Sequence, residues 1–290
     1  MRWRDGRRSD NVEDDRGAGG GMPLGGGIGK LGIGGVAAVV VISLLLGKNP
    51  IEMLGLVSQM AGGGAPQATQ QSAPINDESK DFVRAILGET EDVWAAVFQA
   101  SGATYTQPKL VMFSGGVQTA CGGASSASGP FYCPADHQVY IDVAFFNEMK
   151  QRLGGGGDFA QAYVIAHEVG HHVQTLTGVS DKINQARQAG QDVKGDGGLL
   201  VRQELQADCY AGLWANKAQQ RHSWLEAGDI EEAMNTATAI GDDRLQKQSQ
   251  GEVVPDAFTH GTSAERVRWF KLGFEQGDIG ACDTFKATNL

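Results

Sequence analysis

The sequence has no CxxC pair, no internal repeat and only six histidines. It is also short of positive charge, with 24 Lys and Arg against 34 Asp and Glu and a formal net charge of −10. The deficit lies in residues 49–290, which hold 17 basic and 29 acidic groups. A surface of that sign repels phosphate backbones, which excludes nucleic acid as the natural partner. The absence of repeats excludes a repeat architecture. Without a CxxC pair, Cys121, Cys133, Cys209 and Cys282 read as a disulfide framework, for which three connectivities exist. The closeness of Cys121 to Cys133 favours that pair and leaves Cys209 with Cys282, against the alternative of buried free thiols.

Long apolar runs are absent except for one. Residues 31–47 carry no charge, and Ile28 and Gly29 extend the run past Lys30. This is the short end of a membrane-spanning length. Six basic residues precede the run and Lys48 closely follows it, so the positive-inside rule predicts a cytoplasmic N-terminus. The rival reading is a cleaved signal peptide. The expected order is a glycine-rich cytoplasmic head (1–27), a transmembrane helix (28–47), a linker (48–75) and a folded domain (76–290). The predicted location is a bacterial inner (cytoplasmic) membrane, with the C-terminal domain extracytoplasmic, where disulfides persist. No feature specifies an oligomeric state.

Within the domain the apolar spacing predicts helices over 77–99, 158–177, 198–219, 226–248 and 262–276. Asp158 is the expected N-cap of the second, and Gly178 its C′ residue. Short β-like runs at 109–114 and 138–142 flank a glycine- and serine-rich loop. The fold class is α+β, mainly helical and zincin-like, with a small β element.

The helix over 158–177 carries His167-Glu168-Val169-Gly170-His171. Histidines four residues apart lie about 40° apart around a helix, so both rings can meet one ion. Glu168, one position on, reaches the water rather than the metal. With six histidines, a chance match to the three fixed positions is on the order of 1 in 100. Zinc needs a third protein ligand. The metzincin pattern is excluded by Gln174 and Thr177, so Glu204 in Glu204-Leu205-Gln206-Ala207-Asp208 is the candidate. Asp208, one turn later, is placed to hold the far nitrogen of a ligand histidine. His172, about 100° around the helix from His171, reads as a packed neighbour. His260 sits in a loop before the last helix, where it could donate to an oxyanion. Arg266 reads as an anchor for that loop, while His137 and His222 show no partner.

Several segments then point to one family: MRWRDGRRSDNVEDDRG, CGGASSASGPFYCPADHQVYID, AYVIAHEVGHHVQ, RQELQADCYAGLWA and FTHGTSAERVRWFKLGF. Over nearly the whole chain the sequence resembles the YpfJ-type neutral zinc metallopeptidases, and the resemblance implies one Zn²⁺ and a protein or peptide substrate. A looser likeness is to the HtpX and CAAX-protease gluzincins, which pair HExxH with an ExxAD-like motif and a late THP…R motif. Glu204…Asp208 and Thr259-His260-Gly261…Arg266 fit those patterns, with Gly261 where proline is usual. The expected activity is zinc-dependent hydrolysis of extracytoplasmic proteins or peptides, with the 138–142 strand offering an edge to the substrate. The competing reading is a non-catalytic membrane-tethered module with a structural zinc. The intact Glu168 argues against it, because a structural site needs no base.

Overall fold

The computed structural model describes residues 1–17, 77–152 and 156–290. The expected membrane segment at 28–47 and the linker at 48–75 lie outside the described residues, as does the rest of the head. Among the described residues no helix is long and apolar enough to cross a membrane.

The architecture is α+β and mainly helical. In chain order the elements are β1 (Val12–Asp14), α1 (Asp77–Ala100), β2 (Lys109–Phe113), β3 (Gly116–Thr119), β4 (Gly122–Ser125), β5 (Phe131–Cys133) and β6 (Gln138–Asp142). They continue with α2 (Ala144–Arg152), α3 (Asp158–Leu176), α4 (Val179–Gln188), α5 (Leu199–His222), α6 (Asp229–Ala239), α7 (Asp242–Gln250) and α8 (Ser263–Gln276). The expected long helix at 226–248 is thus two helices. Gly241 separates them because the backbone N–H of Asp242 turns away to donate to Gly261 O. At α3, Gly157 takes the N-cap place expected for Asp158. Asp158 lies inside the first turn and accepts a hydrogen bond from the Trp3 indole at 3.0 Å. Gly178 follows the helix at φ 78°, as a C′ glycine should.

The main sheet has the order β1-β2-β6-β5. β1, β2 and β6 run parallel and β5 runs antiparallel at the edge. β2 and β6 are apolar on both faces and buried, the pattern of interior strands. This corrects the expected substrate edge: β6 is enclosed between β2 and β5, so the free edge on that side is β5. The loop before it holds the β3–β4 hairpin, tied to β5 by the Cys121–Cys133 disulfide. The second disulfide joins Cys209 of α5 to Cys282, as expected.

The first residues of the chain are not a detached polar head. Trp3 is 3% exposed and packs edge-on against Phe82 of α1. β1 lies along β2 in the register Val12↔Leu110. Arg7 bonds Glu91 and Asp92, Arg8 bonds Asp81, and Arg84 reaches back to Asp10. Three of the arginines that suggested a cytoplasmic flank, Arg4, Arg7 and Arg8, are therefore partners of acidic residues of α1. Segments that share one core lie on one side of any membrane. A single span with residues 1–17 on one face and 77–290 on the other does not accommodate this packing.

The helices are held close by glycine. A Cβ at Gly212 of α5 would lie 2.0 Å from Phe270 O, and one at Gly273 of α8 would lie 1.9 Å from Cys209 O. Only glycine at both positions lets the two backbones touch, and this contact sets how far α8 side chains reach across α5. Replacing Trp3 with Ala should lower unfolding free energy by about 3–5 kcal/mol, the usual cost of truncating a buried large aromatic. Urea denaturation measures it, and an unchanged midpoint would show that residues 1–17 add nothing to the core.

Candidate metal centre

α3 is the central helix, with nearly every residue from Phe159 to Gln174 buried. Its apolar sides pack into the core, which leaves His167, Glu168 and His171 at the floor of a cleft. α5 crosses beside it and presents Glu204. Gly170 permits the approach, since a Cβ there would sit 3.2 Å from Ala207 Cα.

The three expected ligands converge. His167 Nε2 is 3.1 Å and His171 Nε2 3.5 Å from the Glu204 carboxylate oxygens. The three ligand atoms all lie within 4.8 Å of one another. Ligands about 2.0–2.1 Å from a tetrahedral zinc stand roughly 3.3 Å apart, so the two ion-pair distances straddle the edge of that tetrahedron. The donor set also fits zinc chemically: two imidazoles and one carboxylate, with room for a fourth group on the cleft side.

The outward nitrogens are spoken for. His167 Nδ1 donates to Asp208 Oδ1 at 2.9 Å, and His171 Nδ1 donates to Gln174 Oε1 at 2.8 Å. Each bond places the proton on Nδ1 and leaves Nε2 free for an ion. Asp208, fully buried, is held in turn by Arg266 through Nε at 2.8 Å and Nη2 at 3.0 Å, and by the Tyr163 hydroxyl. Burial opposes charge on Asp208, but Arg266 and His167 outweigh it and bring its carboxyl down to about 2. Burial likewise opposes charge on His167, yet Asp208 and Glu204 raise it to about 10. The centre therefore favours a positive charge at the place the ligands share. Burial pushes the Glu168 carboxyl up. Glu204 is held well below its ordinary range, because His171 and His167 offset its burial.

His260 faces the same cleft. Asp242 Oδ2 accepts the backbone N–H groups of Thr259, His260 and Gly261, at 2.6, 2.6 and 3.2 Å. Its other oxygen lies 3.2 Å from His260 Nδ1. Burial opposes charge on His260, while Asp242 and Glu204 more than compensate and raise its pKa. His172 is outside the ligand group. Its ring bonds Tyr132 Oη at 3.1 Å and Thr106 O at 2.6 Å, and burial lowers it to about 4. His137 packs edge-on against His172, and His222 pairs with Glu89 at 3.1 Å.

The cavity above the centre measures about 400 Å³. Pro130, Phe131 and Tyr132 of the β5 region form one wall, and Phe145, Ile240 and Leu245 add apolar surface. A smaller, polar cavity of about 210 Å³ shares Tyr132, His171 and Glu204 and extends to Asn184 and Arg187 of α4. Sequence reasoning missed Gln174, Tyr163 and Asp242. Tyr163 and Gln174 carried a usable signal, one turn before His167 and one turn after His171 on the same helix. Asp242 carried none, because it acts on backbone N–H groups seventeen to nineteen residues away.

Residues 1–285 match the sequence profile of the family described as "Putative neutral zinc metallopeptidase". The chain is similar to protein YpfJ of Escherichia coli (strain K12), with 51% identity over 98% of this chain and 99% of that protein. It is 40% identical to protein Mb2605 of Mycobacterium bovis, over 86% of each. No solved structure matches. Family membership thus brings Zn²⁺ and peptide-bond hydrolysis to a chain whose His167, His171 and Glu204 already form a fitting donor set. The chain belongs to the neutral zinc metallopeptidase family.

Proposed function

We propose that this protein is a membrane-attached HExxH peptidase of the gluzincin type, acting on extended proteins or peptides in an oxidising, extracytoplasmic compartment. The observation that carries this reading is the convergence of His167, His171 and Glu204 in one open cleft with Glu168 beside them. Bound zinc would act as the Lewis acid, polarising the scissile carbonyl and acidifying a water. Glu168, kept basic enough by burial, accepts the water's proton at its carboxylate and passes it to the leaving amine. Asp242 orients His260 with Nε2 toward the cleft, as a donor to the oxyanion. The free edge of β5 offers backbone groups to an extended substrate strand. A structural zinc would be closed by a fourth protein ligand. Here the cleft lies open on that side, which favours catalysis over a purely structural role.

Attachment rests on the apolar run at 28–47. Residues 1–17 and the domain from residue 77 onward share one fold, which supports their lying in the same compartment. Two disulfides support an oxidising compartment for the domain.

Glu168→Gln should cut turnover by about 10²–10⁴-fold, the usual worth of a positioned acid–base group, with zinc content unchanged. Full activity in that variant would remove Glu168 from the mechanism. Glu204→Ala should lose bound zinc, whereas Asp208→Ala should weaken zinc by only about 10–100-fold. Metal analysis at buffered free zinc distinguishes them, and stoichiometric zinc in Glu204→Ala would overturn the ligand set. For topology, Asp10→Cys and Glu252→Cys should both react with a membrane-impermeant thiol reagent added to the outer face of the inner membrane. Labelling of one and protection of the other would reinstate a single span between them.

A further inference from the structure

The tautomer of His171 is set by a chain of buried amides that ends at a disulfide. Gln174 is 0% exposed. Its oxygen accepts from His171 Nδ1 at 2.8 Å, and its nitrogen donates to Gln203 O at 2.7 Å and to Gln206 Oε1 at 3.1 Å. The amide has one workable orientation. Flipped, it would set an NH₂ group against the His171 N–H and an oxygen against the Gln203 carbonyl. Gln206 is fixed in the same manner, because its nitrogen donates to Cys282 O at 3.1 Å. Cys282 is bonded to Cys209, which follows Gln206 by three residues on α5. Both cysteines are fully buried. The disulfide therefore stands at the far end of the amide chain that supports His171.

We propose that Gln174 and Gln206 are positioning residues that lock His171 in its metal-binding tautomer, and that the Cys209–Cys282 bond secures this lock, so that tight zinc binding waits on oxidation. The proposal rests on His167, His171 and Glu204 being the zinc ligands. On oxidation the Cys209 and Cys282 thiols release two protons and two electrons, and the S–S bond forms. The electrons pass to the disulfide of a thiol–disulfide exchange partner, which becomes two thiols. In the reduced chain Cys282 loses its covalent tie to α5, and with Arg202 still bonding Thr284 and Ala287 the Cys282 carbonyl is held less firmly beside Gln206. Zinc affinity is then low wherever the chain is kept reduced and rises in the compartment where it is oxidised. A peptidase built this way needs no inhibitory pro-segment to remain idle before it reaches that compartment.

The test is zinc affinity, read by competition with a chromophoric chelator, on the full oxidised chain and its variants. Gln174→Leu and the double variant Cys209→Ala/Cys282→Ala should each bind zinc about 10–100-fold more weakly, and Gln206→Leu should also weaken it. Cys121→Ala/Cys133→Ala, which removes the disulfide outside the amide chain, should bind zinc as the wild type does. Combining Gln174→Leu with Cys209→Ala/Cys282→Ala should cost no more than Gln174→Leu alone, since both break one path. Losses that add would show the disulfide acting independently of the amides and would overturn the proposal. Undiminished affinity in Gln206→Leu, which keeps both disulfides, would overturn it even if the cysteine variant fails to fold. A wild type that binds no zinc would instead refute the ligand assignment on which the proposal rests.

Discussion

A carboxylate with no access to water must find all its partners inside the protein, and Asp208 meets that constraint in a way that orders the rest of the centre. An unpaired charge at that depth would cost several kcal/mol, which is why Arg266, His167 and Tyr163 all converge on it. Those partners come from α3 and α8, while Asp208 itself stands on α5. The three helices cannot be displaced from one another without stranding a charge. The glycine contact between α5 and α8 brings Arg266 close enough to act. In this arrangement the group that orients a ligand histidine also joins the helices that frame the cleft.

The metal centre was more legible in the sequence than the fold around it. Two histidines at helical spacing state their own geometry, because the rise and twist of a helix are fixed. Glu204 and Asp208 were readable for the same reason, being four residues apart on one predicted helix. Strands were less readable. β1 and β5 are three residues each, too short for alternation to register, and β5 becomes an edge only through its pairing with β6. The break at Gly241 looked like helix interior because its cause, a backbone bond to Gly261, comes from a distant loop.

The N-terminal arginines show where sequence reasoning meets a physical ambiguity. A run of basic residues before an apolar segment has the same appearance whether it faces a cytoplasmic leaflet or an acidic helix. Arg7 and Arg8 resolve into specific pairs with Glu91 and Asp81, partners that local pattern cannot foresee. Trp3 gives the same lesson from the apolar side. A lone tryptophan in a polar stretch has no periodicity, yet it sits in the core beneath Phe82 and bonds Asp158.

The pairing of β1 with β2 has a consequence for how the chain is made. Val12 meets Leu110, and Trp3 meets Asp158. Their partners are synthesised about a hundred or more residues after them. Contacts of such separation carry a large loop-closure entropy and form late. The Cys209–Cys282 bond waits longer still, since Cys282 comes later in the chain than either of those partners. The opening segment must therefore wait for these native partners until residues 110 and 158 have been synthesised. The native fold is completed only when residues 1–17 and the domain from residue 77 onward meet in the same compartment.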